Sequence, residues 1–464
     1  MSDHLSAVLQ EIESQQRAAL ERLFTLIRIP SISTDPAYKE QCRVAASTYA
    51  HWLSDIGFTA SVRETEGHPI VVGHYQPKHF KSKARVLFYG HYDVQPPDPL
   101  PKWISPPFEP HLTDDPENGT IIRGRGAQDN KGQLSTFLEA SRAWIAVTGD
   151  LPISVTVLIE GEEECGSPSL PGFIKHAAAE LAADYAIACD TIQWNKNTPA
   201  IITTLRGLTS SELIVKGANR ELHSGLFGGP VINPIKVLTK ILGDLFNDGN
   251  RIQIPGFYDN VRDLDKEQKM QWAKLAFDPH KFLGNLGLKE SAGETEYSVL
   301  EQIWSRPTAE INGITGGYQG PGEKTVIPSQ ASAKITFRMA PGQDPATILR
   351  GWHHFVDARL PDDCTAEYLN EHGTPAVVFD KSAPYMIIAS RCLEEEWGTA
   401  PVLAGIGGSI PIVHAFRDLL GMNSLLVGFG CDDDGMHSPN EKYNLRSFNK
   451  GMRSWARILE ALGR

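Results

Sequence analysis

Short apolar runs recur along this chain, and several stop at an acid or a histidine. Val86-Leu87-Phe88-Tyr89-Gly90 stops at His91, with Asp93 close behind. Ile121-Ile122 leads through Gly124-Arg125-Gly126 to Asp129. Val155-Thr156-Val157-Leu158-Ile159 stops at Glu160-Gly161-Glu162-Glu163-Glu164, and Tyr185-Ala186-Ile187-Ala188-Cys189 stops at Asp190. Near the end, Leu425-Leu426-Val427-Gly428-Phe429 leads to Asp432-Asp433-Asp434 and then His437. Runs of this length bounded by turn residues predict buried strands. In open α/β sheets, ligands bind outside the carboxyl ends of the strands.

The segments between these runs follow helical spacing. Leu5, Val8, Leu9 and Ile12, then Leu20, Leu23, Phe24 and Ile27, mark apolar helix faces at the start of the chain. After Asp129, Leu134, Phe137, Leu138 and Trp144 share another. Strand and helix therefore alternate from 84 to about 205. That alternation predicts an α/β fold with a mostly parallel sheet and helices on both faces.

From 207 the pattern changes. Leu208 to Val215 reads as a strand, and Asn233-Pro234 as an N-cap followed by proline at the first helical position. Strand-like runs follow near 308–314 and 331–338, Asp344-Pro345 opens a second helix, and a last run lies near 365–371. The order β-α-β-β-α-β predicts a ferredoxin-like α+β domain, interrupted by a polar, helix-biased insertion over 252–305. After 380 the α/β pattern returns. The expected organisation is a discontinuous first domain, 1–206 and 380–464, with a second domain, 207–379, inserted into it. A chain of 464 residues is long enough for two cores, since single cores stop growing near ~250–300 residues.

Composition narrows the functional classes. A formal charge of −12 argues against a nucleic-acid surface. No apolar stretch reaches the ~18 residues that would suggest a membrane helix. The six cysteines are scattered and form no CxxC pair. That pattern speaks against a thiolate metal site or a disulfide framework and fits a reduced, cytoplasmic protein.

Each acidic motif alone has a bland reading. A histidine after a strand is commonly a hydrogen-bonded structural residue, and Glu162-Glu163-Glu164 or Asp432-Asp433-Asp434 could be solvated loops. Gly124-Arg125-Gly126 lacks the rest of a phosphate-binding motif, and neither HExxH nor GxSxG occurs. Together, however, the strand ends supply imidazole and enough carboxylate for two cations. A carboxylate near His91 can accept its other ring N–H and fix the tautomer. Of the adjacent Glu163 and Glu164, one can bind metal while the other moves protons.

Gly90-His91-Tyr92-Asp93-Val94, Gly124-Arg125-Gly126-Ala127-Gln128-Asp129-Asn130-Lys131-Gly132 and Glu160-Gly161-Glu162-Glu163-Glu164-Cys165-Gly166-Ser167 resemble the M20 metallopeptidases. Leu222-His223-Ser224-Gly225, Lys324-Thr325-Val326-Ile327-Pro328, Gly407-Gly408-Ser409-Ile410-Pro411 and His437-Ser438-Pro439-Asn440-Glu441 are similar to the cytosolic dipeptidase and carnosinase branch.

The resemblance implies hydrolysis of dipeptides or similar small peptides by a water activated at two divalent ions. Zn is the first expectation for both, with Mn or Co as alternatives. Asp129 would bridge the ions, His91 and Asp190 would complete one site, and Glu164 and His437 the other. Glu163 would be the general base, and Asp93 would orient His91. Arg338, Thr325, Ser409 and Gly408 would contact substrate, Arg338 being suited to a terminal carboxylate. The inserted domain would serve as a lid and dimerisation domain, with His223 donated to the partner's site in a homodimer. A cis peptide is expected between Asp129 and Asn130.

One position departs from the pattern. Ile406 stands where the animal dipeptidases carry an acid that could pair with a substrate ammonium. This keeps open an N-acyl-amino-acid amidohydrolase of the same family. A non-catalytic binding protein on a peptidase fold is the remote alternative, and the complete ligand set with Glu163 weighs against it.

Overall fold

A computed structural model describes residues 3–464. The chain divides into two compact units, one of Met1–Thr203, Phe379–Ala404 and Pro411–Arg464, the other of Thr204–Val378 and Gly405–Ile410.

The first unit is built on a twisted sheet. Seven of the sheet's nine strands are β1 (Thr59–Arg63), β2 (Ile70–Tyr75), β3 (Arg85–His91), β4 (Ser154–Glu160), β5 (Tyr185–Ala188), β6 (Ala200–Leu205) and β7 (Ser424–Leu426), and Val377–Val378 and Val402–Ile406 also pair with β6. These seven lie in the order β1-β2-β4-β3-β5-β7-β6. The central four, β4, β3, β5 and β7, are mutually parallel, and the margins are antiparallel.

Successive side chains of β3 point to opposite faces, as strand geometry requires. Phe88 stacks on Phe137 of helix Lys131–Thr148 at 3.7 Å between ring centroids, and Trp455 of helix Leu445–Gly463 meets Phe137 edge-on. Its neighbour Tyr89 packs against Phe416 of helix Pro411–Leu420. Helices thus cover both faces of the parallel strands, which explains why these strands are apolar on both sides.

The strand leading to Asp129 differs from the sequence expectation. Gly119–Arg123 lies in a separate three-stranded antiparallel sheet, between His111–Asp115 and Lys442–Asn444. It is short, and only its two consecutive isoleucines, Ile121 and Ile122, are buried. The pair β1 and β2 was not anticipated either, because Thr59–Arg63 is partly exposed and carries no apolar run.

The second unit holds a four-stranded antiparallel sheet in the order Thr308–Gly316, Gln330–Met339, Gly207–Lys216, Thr365–Thr374. Helices Pro234–Gly243 and Pro345–Asp357 pack on it. Asn233 and Asp344 cap these helices with their side chains, and each is followed by proline at the first helical position. This is the ferredoxin-like order. The segment between Pro234–Gly243 and Thr308–Gly316 carries three short helices, Lys266–Ala273, Pro279–Asn285 and Val299–Trp304. All six cysteines are free. Among the described residues, no helix is long and apolar enough to cross a membrane.

Candidate metal centre

Five of the sequence-selected residues meet in the first unit. His91 ends β3, Asp190 follows β5, Glu164 lies in the 3-10 turn Glu163–Cys165 after β4, and His437 follows β7. Asp129 arrives from the small sheet, one residue before Asn130, the N-cap of helix Lys131–Thr148.

The two oxygens of Asp129 face two different histidines. Oδ1 lies 3.2 Å from His91 Nε2, and Oδ2 lies 3.0 Å from His437 Nε2. Asp190 Oδ2 is 3.7 Å from His91 Nε2, and Glu164 Oε2 is 3.1 Å from His437 Nε2. The result is two ligand groups sharing one carboxylate: His91-Asp129-Asp190 and Asp129-Glu164-His437.

These groups fit divalent cations. His91 Nε2 is buried without a hydrogen-bond partner although it faces two carboxylates. Imidazole and carboxylate with no thiolate suit Zn, Mn or Co. The polarity of the cluster points the same way. Burial alone would lower the basicity of His91, yet Asp129, Asp190 and Asp93 hold it well above its ordinary value. Hydrogen bonds to Asp129 and Glu164 push His437 up to about 10. Burial opposes ionisation of Asp129, but His437 and His91 more than offset it and keep its carboxyl well below the usual range. The cluster is thus a strong sink for positive charge.

Glu163 stands outside both ligand groups. Burial pushes its carboxyl up to about 8, with Asp190, Glu164 and Asp129 adding to the rise and His91 opposing it. A carboxyl poised near neutrality beside a metal centre is what proton shuttling needs. Glu162 has a different task. Its oxygens accept from His68 N and Ser169 N, both at 3.0 Å, so it braces the turn.

Supporting residues fix the ligands. Asp93 is fully buried and does more than face His91. Its Oδ1 lies 3.3 Å from His91 Nδ1, while Oδ1 and Oδ2 accept from Glu163 N at 3.3 Å and Glu164 N at 3.0 Å. His91 Nδ1 also lies 3.1 Å from the backbone oxygen of Asp93, so this residue holds the imidazole through its carbonyl and its carboxylate, and the Glu163-Glu164 turn through the carboxylate.

Sequence reasoning missed two others. Asn130 Nδ2 donates to Asp190 Oδ1 at 2.8 Å, and Gln95 Nε2 donates to Glu164 Oε2 at 2.9 Å. Asn130 sits within the motif carrying Asp129, and Gln95 directly follows the motif carrying Asp93; that proximity is the signal the sequence offered. The Asp129–Asn130 peptide is cis.

The second unit brings other selected residues together. His223 pairs with Val326 in a two-stranded ladder. Its Nδ1 accepts from Gly225 N at 3.0 Å, and its Nε2 is 3.4 Å from Thr325 Oγ1. Because Nδ1 accepts, the proton of the neutral ring sits on Nε2, towards Thr325 Oγ1. Arg338 is half-buried on Gln330–Met339, forms no ion pair among the described residues, and is less basic than usual because of burial. Arg206 donates to Gly407 O at 2.9 Å, which fixes the loop bearing Ile406, Gly408 and Ser409.

The family model for Peptidase family M20/M25/M40 matches residues 87–461. The chain belongs to peptidase family M20. This M20 metallopeptidase is 30% identical to the Cys-Gly metallodipeptidase DUG1 of Saccharomyces cerevisiae, over 99% of this chain and 98% of that one. It is also 30% identical to the Beta-Ala-His dipeptidase of Homo sapiens, over 81% of this chain and 74% of the relative. The crystal structure of human carnosine dipeptidase 1 superposes with a TM-score of 0.81 at 26% identity, covering 100% of this chain and 99% of that one.

Proposed function

We propose that this M20 enzyme is a dinuclear metallodipeptidase. The observation that carries the reading is Asp129, whose two oxygens face His91 and His437 in separate ligand groups while Glu163 stays free of both. The similarity to dipeptidases over nearly the whole chain supports a small peptide as substrate.

Divalent cations bound by His91, Asp129, Asp190, Glu164 and His437 would supply Lewis acidity and a nucleophilic water at neutral pH. Glu163 takes a proton from the attacking water and returns it to the leaving amine nitrogen. His223 donates a hydrogen bond from its Nε2–H to the oxyanion of the tetrahedral intermediate and keeps its proton. Arg338 receives the substrate carboxylate as a charge-assisted pair. Thr325, Gly408 and Ser409 line the path of the peptide. In this reading the protein is a cytoplasmic homodimer, and each second unit lends its His223 to the partner's centre, so that two-fold symmetry completes two sites at once.

The experiment is metal-dependent turnover of a panel holding Cys-Gly, β-Ala-His, other dipeptides and N-acyl amino acids. Cleavage of dipeptides with a free amino terminus, abolished by chelation and restored by Zn, Mn or Co, is expected. Exclusive cleavage of N-acyl amino acids would shift the assignment to an amidohydrolase. Ile406, which cannot pair with an ammonium, is the residue that favours that second reading. Binding without turnover of any panel member would overturn catalysis itself.

A further inference from the structure

Arg125 and Glu441 form a buried ion pair next to the metal centre, with Arg125 Nη1 donating to Glu441 Oε2 at 2.8 Å. Neither touches a reacting atom, and isolated buried pairs of this kind contribute little net stability. Their partners show what else they do.

Glu441 spends its remaining capacity on the loop that delivers Asp129. Its Oε2 accepts from Gly126 N at 2.8 Å, and its Oε1 accepts from Gln128 N at 2.9 Å and Asp129 N at 3.1 Å. A single side chain thus gathers the backbone of 126–129. Gly126 has φ +83°, and a Cβ there would lie 2.7 Å from Val94 Cγ1, so the turn is held tightly against β3's continuation.

Arg125 gathers two more loops. Its Nη2 lies 3.2 Å from Ser438 O, next to His437, and 3.4 Å from Pro96 O, next to Gln95. Its guanidinium also sits over the Trp103 ring at 5.4 Å. Asn440 ties the same two loops, accepting from Ile104 N at 2.7 Å and donating to Lys102 O at 2.9 Å. Gln95 in turn holds Glu164.

The pair thus holds the Asp129 backbone directly, His437 through its neighbour Ser438, and Glu164 at one further remove, through Pro96 and Gln95. The other ligands are not held this way. His91 and Asp190 sit at the ends of β3 and β5 and are oriented by Asp93 and Asn130.

We infer that the Arg125–Glu441 pair is a positioning device for one of the two ion sites, the Asp129-Glu164-His437 group, and leaves the His91-Asp190 side to the sheet. This rests on the two-ion reading above. The pair converges three loops that the sequence places far apart, and it sets the distance between them before any cation arrives. Its loss would loosen three ligand anchors at one site and only the shared Asp129 at the other.

The test is Zn²⁺ binding to the full chain, measured by competition with a chromophoric chelator, with Co²⁺ absorption as a second readout. The variant Arg125→Met combined with Glu441→Gln removes both charges, so neither is left buried alone. Wild type is expected to bind two ions. The double variant should keep one and bind the other about 10–100-fold more weakly, the usual effect of losing an outer partner of metal ligands. The matched control is Arg22→Met with Glu139→Gln, a remote ion pair of the same unit, which should leave both affinities unchanged.

If the charge-free variant does not fold, Asn440→Gly decides, because glycine accepts the φ of +67° at this position without strain. It keeps the pair and unhooks only the loop at 102–104, and it should weaken the same ion to a smaller degree. Equal weakening of both ions, or retention of both at wild-type affinity, overturns the inference. Wild type binding fewer than two ions would instead remove the two-ion reading, so the two failures are distinct.

Discussion

Glu163→Gln separates the charge of this side chain from its shape, and the structure fixes what each should do. Glutamine has the same length, and the Glu163 carboxylate makes no ion pair among the described residues, so little packing is lost. The charge is another matter. Burial and the neighbouring carboxylates raise the Glu163 carboxyl from 4.5 to about 8. Between those values the folded protein keeps a proton that the unfolded chain has released. Stability must therefore fall as pH rises through that window. At ~1.4 kcal/mol per pKa unit, the fall is at most about 5 kcal/mol.

The glutamine variant has no such group. Urea unfolding of the metal-free proteins should show near-equal stability at pH 4.5 and a variant that is more stable by several kcal/mol above pH 8. The metal-loaded variant should bind its ions yet lose turnover by on the order of 10²–10⁴-fold or more, because in the proposed mechanism both proton transfers go through this group. Turnover within tenfold of wild type would refute the base assignment. A stability difference independent of pH would refute the account of its environment.

Three further outcomes follow from the geometry. Mixing inactive His223→Ala and Glu163→Gln proteins under subunit exchange should restore up to about a quarter of wild-type activity, since each mixed dimer holds one intact site; no recovery despite verified exchange would exclude action of His223 in the partner's site. Arg338→Met should lower kcat/KM by about 10–150-fold for a dipeptide with a free carboxylate, the value of a charge-assisted contact, and should barely affect its carboxy-terminal amide. Metal binding should release protons, because His91 and His437 are held protonated by their carboxylates and must be neutral to act as ligands. Affinity should accordingly rise as pH increases towards about 10, the value for His437. Calorimetry in buffers of different ionisation enthalpy reads this directly, and a pH-independent affinity would contradict it.

The candidate ligand residues were legible because a strand that must bury both faces is apolar throughout, so an acid or histidine at its end stands out. His91, Glu164, Asp190 and His437 all follow such runs. Asp129 was found by its motif, and its strand was placed in the wrong sheet, because two apolar residues do not reveal which partners a short strand will choose. The inserted unit was legible through its caps at Asn233 and Asp344 and the order of its strands. Gln95, Asn130, Arg125 and Glu441 were not given roles. They act through backbone groups and single oxygens of other residues, and that geometry leaves no periodic trace.

The placement of β7 has a consequence for biosynthesis. This strand runs parallel to β5 and antiparallel to β6, so it lies between two strands that the ribosome makes more than two hundred residues earlier. Until it arrives, β5 and β6 each present an unpaired edge, the kind of surface that recruits other chains. Pairing across so long a separation is slow. The inserted unit must leave the exit tunnel, and can fold, before the sheet that carries the metal ligands is closed. The nascent chain therefore passes through a long interval in which it is vulnerable to aggregation, and a message truncated anywhere before codon 424 would leave that gap permanent.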